Sequence, residues 1–506
     1  MKASYSRCLL GISIGMCLSG MVVAQEPLAA RLDKIFDEPQ WRSARWGIMV
    51  KDLTTSEVLY QRDADKVHMP ASNMKLYTTA AGLTAMGADY RFETPIYVRG
   101  DIDENGVLYG DVIVVGSGDP SISGRYSGRY HTTDRTTTGI LEEWGKAIAA
   151  HGIKKVVGNV IGDDDIFDER SVDGTWALSY MAEWYAAENS GLAINDNCWD
   201  AYVIPNAAGK TVQIGNILDT DYYQFNTSAV SLRPSRGDAS TTPTEERGSV
   251  SMDRKPETNV IDLSGWVAED SAPVKEWGSI TNGTLFAVTL LKEELERQGI
   301  AVTGEAVDID DMDRDAAARL KADRGAEVHR HVSPPLSEIL ATINKPSQNF
   351  YADMLLKAVG AHVGNRGSWG GGEAVIKDVL TTAGVDASTF RASDGSGLSR
   401  FNMVEPRQTV ALLEYMRTRD DFGVYLESLP VMGIDGTLKG RMAGTVAEGN
   451  VKAKTGTIGS VRALSGYLTA ANGHDIAFSM MANNYHVPTS EATEAQNRAV
   501  LEIIGK

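Results

Sequence analysis

Cysteine is nearly absent. The chain has 3 in 506 residues, and Cys8 and Cys17 both fall near the start. A fold held by disulfides is excluded, because Cys198, alone in the body of the chain, cannot close an internal cross-link. Thiolate zinc sites go with it. No His-Glu-x-x-His occurs, and His329 and His331 are the only close pair among 8 histidines. Long apolar runs are also missing. The stretch Cys8 to Leu18 falls short of the ~18 residues that a membrane-spanning helix needs. Positive charge is in deficit, with 49 Lys and Arg against 67 Asp and Glu and a formal net charge of −18. Such a surface disfavours nucleic acid and anionic lipid as partners. Apolar content of 42% and charged content of 23% are those of an ordinary globular protein.

The first residues read as an export signal. Lys2 and Arg7 supply positive charge, the apolar run follows, and Val22-Val23-Ala24 offers small residues before Gln25, so cleavage is expected after Ala24. The mature chain then keeps only Cys198 and has no transmembrane anchor. Its length exceeds one ordinary core, so two or three domains are expected.

Helix and strand signals are unevenly placed. Leu28 to Phe36 reads as a helix, and Trp46 to Lys51 and Glu57 to Gln61 as strands. A helix with apolar residues nearly all round starts at Ser72 and ends at Gly87. From Phe92 to about Arg330 the texture is short alternating strands, Gly/Asp turns and acidic loops, with Asp308 to Asp315 a solvated connector. Helix signals return at Pro335 to Leu340 and Tyr351 to Val359. Val451 to Thr457, Val461 to Ala470 and Ile476 to Met481 alternate as strands, with Asn472-Gly473 as a hairpin turn. Glu491 to Ile504 closes the chain as an amphipathic helix. The two ends together therefore predict one α/β catalytic domain. The roughly 240 residues between them are too long for a loop and should form inserted, mostly β domains.

Three short patterns carry the chemistry. Ser72 and Lys75 lie three apart on one helical face, which puts an amine within reach of a hydroxyl. Serine is a poor nucleophile until a base takes its proton, and an uncharged lysine can be that base. Ser-x-x-Lys alone is weak, at roughly one chance occurrence per 500 residues. Downstream come Ser347-Gln348-Asn349 and Lys454-Thr455-Gly456, and each pattern occurs once. Ser72 at a helix start benefits from free N–H groups and the helix dipole. Lys75 must be neutral to act, which burial and a second cation, Lys454, would favour. Ser347 can pass a proton to a departing amine, and Asn349 can bond both a lysine and a substrate amide. Gly456 lets a peptide lie along a strand edge, and Lys454 and Thr455 can bind a terminal carboxylate. The N–H groups of Ser72 and Thr457 would form an oxyanion hole.

In that order the three patterns form the motif set of penicillin-recognising serine acyl-transferases. The chain resembles the penicillin-binding protein 4 type of D-alanyl-D-alanine carboxypeptidase/endopeptidase, the class C low-molecular-mass penicillin-binding proteins of peptidase family S13. The likeness extends through Pro70 to Leu76, Gly116-Ser117-Gly118-Asp119-Pro120, Asn344 to Asn349, Asp394 to Arg400, Leu429-Pro430, Gly433 to Leu438 and Ala453 to Thr457. Gln348 stands where the family often has Asp or Asn, and Asp353 where Glu is frequent. The resemblance implies a transpeptidase-like (β-lactamase-like) domain with nested insertions. The spans are 1–24 for the signal, 25–91 and 331–506 for the catalytic domain, 92–120 and 188–330 for a second domain, and 121–187 for a third nested inside it. It also implies a periplasmic location, no metal or other cofactor, inhibition by β-lactams, and peptidoglycan stem peptides and cross-links as substrates. An acidic residue of the insert and an arginine would bind the substrate side chain, with Asp163 and Arg400 as counterparts.

Other patterns fit simpler explanations. Asp101-x-Asp103-x-Asn105-Gly106 opens like a calcium loop, but Val112 stands where a bidentate Glu belongs, so a hairpin turn is expected. Gly370-Gly371-Gly372 lacks the Lys-Ser/Thr of a nucleotide loop. Two rivals to the peptidase remain. A serine β-lactamase would use the same motifs but needs an extra deacylating base. An idle wall-binding or penicillin-sensing module would not need every catalytic residue type intact.

Overall fold

The structure is a computed structural model that describes residues 1, 26–132, 134–233 and 248–505. The export signal expected over residues 1–24 lies, apart from Met1, outside the described residues. No helix among those described is long and apolar enough to cross a membrane.

Both chain ends build one five-stranded antiparallel sheet. Its order is Lys452–Ile458, Val461–Thr469, Asp475–Asn483, Arg45–Asp52 and Val58–Arg62. Arg45 pairs with Asn483 and Asp52 with Ile476, so an early strand is seated beside the last one. Period-two alternation gives the sheet two buried faces. Ile48, Val50, Leu464 and Phe478 face the helices Leu28–Phe36 and Thr489–Ile504. Met49, Ala463, Ala477 and Met481 face the helix Met74–Met86 and the helices around it. In that helix every residue from Met74 to Leu83 is buried. Each large apolar side chain so placed contributes about 1.5–3 kcal/mol. The helix stops at Gly87, whose φ of 84° suits glycine and whose N–H caps Leu83.

The insert has its own sheets. Seven strands from residues 93–115, 155–163, 301–308 and 326–332 form one of them, covered by the helices Thr137–Ala150 and Gly283–Arg297. Glu93–Ile102 and Val107–Val115 form the expected hairpin around residues 101–106, where Asp103 accepts from the Asn105 and Val107 amides. The larger sheet also takes strands from the span expected to form the third domain. Val160–Asp163 pairs in parallel with Val107–Val115, and the helix Thr137–Ala150 is the crossover that parallel pairing demands. Residues 121–163 therefore complete the larger sheet. The small separate sheets lie within 198–279. The Asp308 to Asp315 stretch is not wholly solvated either, since Asp308 and Ile309 are buried.

Candidate active site

Ser72 sits on a 3-10 turn, Ala71–Asn73, that leads into the helix Met74–Met86. Ala71 has φ of 45° and is fully buried. A non-glycine residue there costs about 1–2 kcal/mol, so its surroundings must impose the geometry. Two glycines do so. A Cβ on Gly397 would lie 1.9 Å from the Ala71 carbonyl oxygen, and one on Gly456 would lie 2.6 Å from that of Pro70. The turn is thus gripped between the Asp394–Gly397 loop and the strand Lys452–Ile458. Asn73 pins it from beneath by donating to Ser465 Oγ at 2.6 Å. Ser72 itself stays half-buried and open to the cleft.

Lys75 is fully buried. Its Nζ lies 3.0 Å from Ser72 Oγ, 2.7 Å from Asn349 Oδ1 and 2.7 Å from the Ser396 carbonyl oxygen. Burial pushes its pKa down to about 7, against the opposing pull of Asp353 and Asp394. A neutral amine has two N–H bonds and one lone pair. The two carbonyl oxygens take the hydrogens, so the lone pair is left for the Ser72 hydroxyl, which then donates to Lys75.

Across the cleft, Lys454 is also fully buried, with Nζ 2.8 Å from Ser347 Oγ and 3.0 Å from the Thr455 carbonyl oxygen. Burial first, then the charges of Lys75 and Arg462, hold its pKa well below the usual lysine range. Ser347 adopts φ of 66° just before the helix Asn349–His362. Distant segments therefore place two hydroxyls, an amide and two amines with depressed pKa values around one cleft. The family model for the D-Ala-D-Ala carboxypeptidase 3 (S13) family matches residues 28–503. This chain belongs to that family.

Relatives of this S13 chain agree over most of its length. It is 33% identical to the D-alanyl-D-alanine carboxypeptidase of Actinomadura sp. (strain R39), over 92% of this chain and 82% of that one. It is 26% identical to D-alanyl-D-alanine carboxypeptidase DacB of Haemophilus influenzae, over 87% and 85% of the two chains. Among solved structures, penicillin binding protein 4 (dacB) from Haemophilus influenzae matches with a TM-score of 0.78 at 23% identity, covering 94% of this chain and 99% of that one. That likeness establishes a common fold.

The remaining expected site residues of this S13 chain divide. Thr455 is buried and shares a hydrogen bond with Thr437 Oγ1 at 2.8 Å. Gly456 allows the close approach of the Pro70–Asn73 backbone, which a Cβ there would meet. Ala453 donates outward to the Pro430 carbonyl. By the strand's alternation the Thr457 amide faces the same free edge, and Thr457 is exposed. Arg400 is exposed, and its Nη1 donates to the Gly459 carbonyl at 2.7 Å, in the turn that follows this strand. Asp163 is not brought to the cleft. It is buried in the insert's sheet, where Arg324 Nη2 lies 2.5 Å from its Oδ2.

Several contributors escaped the sequence reading of this S13 site. Asp353 Oδ1 accepts from the Gly395 and Ser396 amides at 2.7 and 3.0 Å, which aims the Ser396 carbonyl at Lys75. Asp394 accepts from the Gly397 and Ser399 amides and from Trp176 Nε1. The Tyr185 carbonyl accepts from Asn349 Nδ2 at 2.8 Å. Trp176 and Tyr185 belong to the insert, so the insert reaches the site.

Proposed function

We propose that this chain is a serine D-alanyl-D-alanine carboxypeptidase, with D,D-endopeptidase activity, acting on peptidoglycan peptides through an acyl-enzyme on Ser72. Ser72 Oγ attacks the carbonyl carbon of the penultimate D-alanine while its proton passes to Lys75 Nζ. The oxyanion is held by the Ser72 and Thr457 amides. The C–N bond breaks, and the leaving amine takes the proton that Lys75 gained, relayed through Ser347 with Lys454 and Asn349 orienting it. Water then attacks the ester and gives a proton to Lys75, which returns one to Ser72 Oγ as the C–O bond breaks and the shortened peptide leaves. Lys454, Thr455 and Gly456 line the strand edge on which the peptide lies, and Arg400 lies at its rim. In a β-lactam the leaving nitrogen stays tethered to the acyl group, so the same attack gives a lasting adduct. A carboxypeptidase and an endopeptidase differ only in the leaving group.

The observation that carries this reading is the buried Lys75, with Nζ 3.0 Å from Ser72 Oγ and 2.7 Å from each of two carbonyl oxygens. Relatives support it through their names, and a β-lactam complex of the Haemophilus influenzae protein has been solved. Peptidoglycan as substrate implies the periplasm, with export directed by residues 1–24. The test is covalent labelling of folded protein with a labelled penicillin, located by mass spectrometry. Label on Ser72, lost in Ser72→Ala, with D-alanine released from muropeptide monomers and cleavage of cross-linked dimers, is expected. No adduct refutes the reading. Release of the adduct within milliseconds would instead make the protein a β-lactamase. Muropeptide binding without D-alanine release, unchanged by Ser72→Ala, would make it an idle module.

A further inference from the structure

The geometry points to Gln348, held by Asp196 of the insert, as a positioning residue that fixes Ser347 and Asn349 against the two lysines. This rests on the reading of the site given above. Gln348 is 2% exposed. Its Oε1 accepts from the Phe350 amide at 2.9 Å, capping the helix Asn349–His362, and its Nε2 donates to Asp196 Oδ2 at 3.0 Å. A carboxylate only accepts, so this bond fixes which way the Gln348 amide faces. The flanking residues then have little freedom. Ser347 is left-handed on one side, and Asn349 bonds Lys75 and the Tyr185 carbonyl on the other.

What holds Asp196 is unusual. Asn195, Asp196 and Asn197 have φ of 53°, 58° and 49°, three successive left-handed residues without a glycine. Chirality opposes each of them, so only a rigid surrounding keeps the turn. Asn195 Nδ2 donates to the Cys198 carbonyl and to Asp200 Oδ2, both at 2.8 Å. Asn197 Nδ2 donates to the Glu188 carbonyl at 2.8 Å and to Ser190 Oγ at 3.0 Å. Arg125 grips both Asp200 oxygens at 3.0 and 2.7 Å, with Nε 3.5 Å from Asp196. This buried, strained knot delivers one carboxylate oxygen to Gln348. Strain of this kind persists where a function depends on it, and the function here is to hold the second motif from behind.

Stopped-flow acylation by a fluorescent penicillin separates initial binding from the acylation rate constant. Gln348→Ala is expected to slow acylation about tenfold to a hundredfold, the cost of a misplaced catalytic group, and to leave initial binding within about threefold. Gln348→Glu keeps the cap but opposes two carboxyl groups, and is expected to be equally slow. Adding Asp196→Asn to Gln348→Glu rebuilds the bond with donor and acceptor exchanged. Recovery to within about threefold of wild type is expected. Thermal melting checks that each variant is folded. If the combined variant fails to fold, Gln348→Ala decides alone, since it leaves the Arg125 pairs in place. Wild-type acylation rates in Gln348→Ala, or a folded combined variant no faster than Gln348→Glu, overturn this inference while the Ser72 chemistry stands. Absence of wild-type labelling at Ser72 overturns both.

Discussion

The pH dependence of acylation follows from the position of Lys75. With its pKa brought down to about 7 by burial, the neutral fraction is ~1% at pH 5, ~50% at pH 7 and ~99% at pH 9. Proton removal from Ser72 needs the neutral form, so the acylation rate constant should rise about 50-fold from pH 5 to pH 7. It should then rise only about twofold to pH 9. A lysine with the usual value of ~10.4 would still be rising throughout, with ~0.04% neutral at pH 7. The sign is fixed, because a base depressed by burial gains activity as pH rises through its folded value. Stopped-flow labelling by penicillin, with circular dichroism to show that the fold persists, measures it. Lys75→Arg is the control, because a guanidinium keeps its proton across this range and should abolish acylation at every pH. A flat profile from pH 5 to 8, a limb centred above pH 9, or a limb that survives in Lys75→Arg would refute the assignment.

Other perturbations follow from contacts at the site. Gly456→Ala would put a Cβ 2.6 Å from the Pro70 oxygen and 3.1 Å from the Ser72 nitrogen. It should cost about 1–3 kcal/mol in urea unfolding and at least about tenfold in acylation, and wild-type values in both would contradict the packing argument. Lys454→Ala should lower turnover on muropeptide monomers and cross-linked dimers alike, by about a hundredfold. Loss on one substrate only would show that Lys454 selects rather than transfers. Trp176→Phe removes a buried hydrogen bond of 2.9 Å to Asp394. A loss of about 1.5–3 kcal/mol in urea unfolding is expected, and none would mean that the Ser399 and Gly397 amides suffice.

Features that are local in sequence were legible. The proximity of Ser72 and Lys75 and the strands flanking Asn472-Gly473 appear where periodicity puts them, and the apolar helix expected from Ser72 begins at Met74, after a 3-10 turn. The catalytic sheet was legible from its two ends because each strand is long enough to show its alternation. The insert was not. Lys155–Val156 and Ala301–Val302 are two residues each, too short for a pattern, and their partners lie far along the chain. Asp163 was expected as the acidic counterpart that binds a substrate side chain, yet its register opposite Val115 buries it against Arg324. Ser396 acts through its carbonyl oxygen, which residue type does not advertise. Gly456 signalled a close approach, and its packing against the Pro70–Asn73 backbone depends on residues far away in sequence. Gln348 showed only as a departure from the family's usual Asp or Asn, because its partner, Asp196, lies 152 positions away.

The pairing of Arg45–Asp52 with Asp475–Asn483 has a consequence for biosynthesis. A chain emerging from its N-terminus must keep its first strands waiting until almost the last residues have appeared, while the intervening segment collapses by itself. Closing so large a loop is slow although its entropic cost grows only gently with length. The nucleophile turn, clamped by Gly397 and Gly456, is therefore completed only at the end, and nascent or C-terminally truncated chains cannot hold Ser72 in its working geometry.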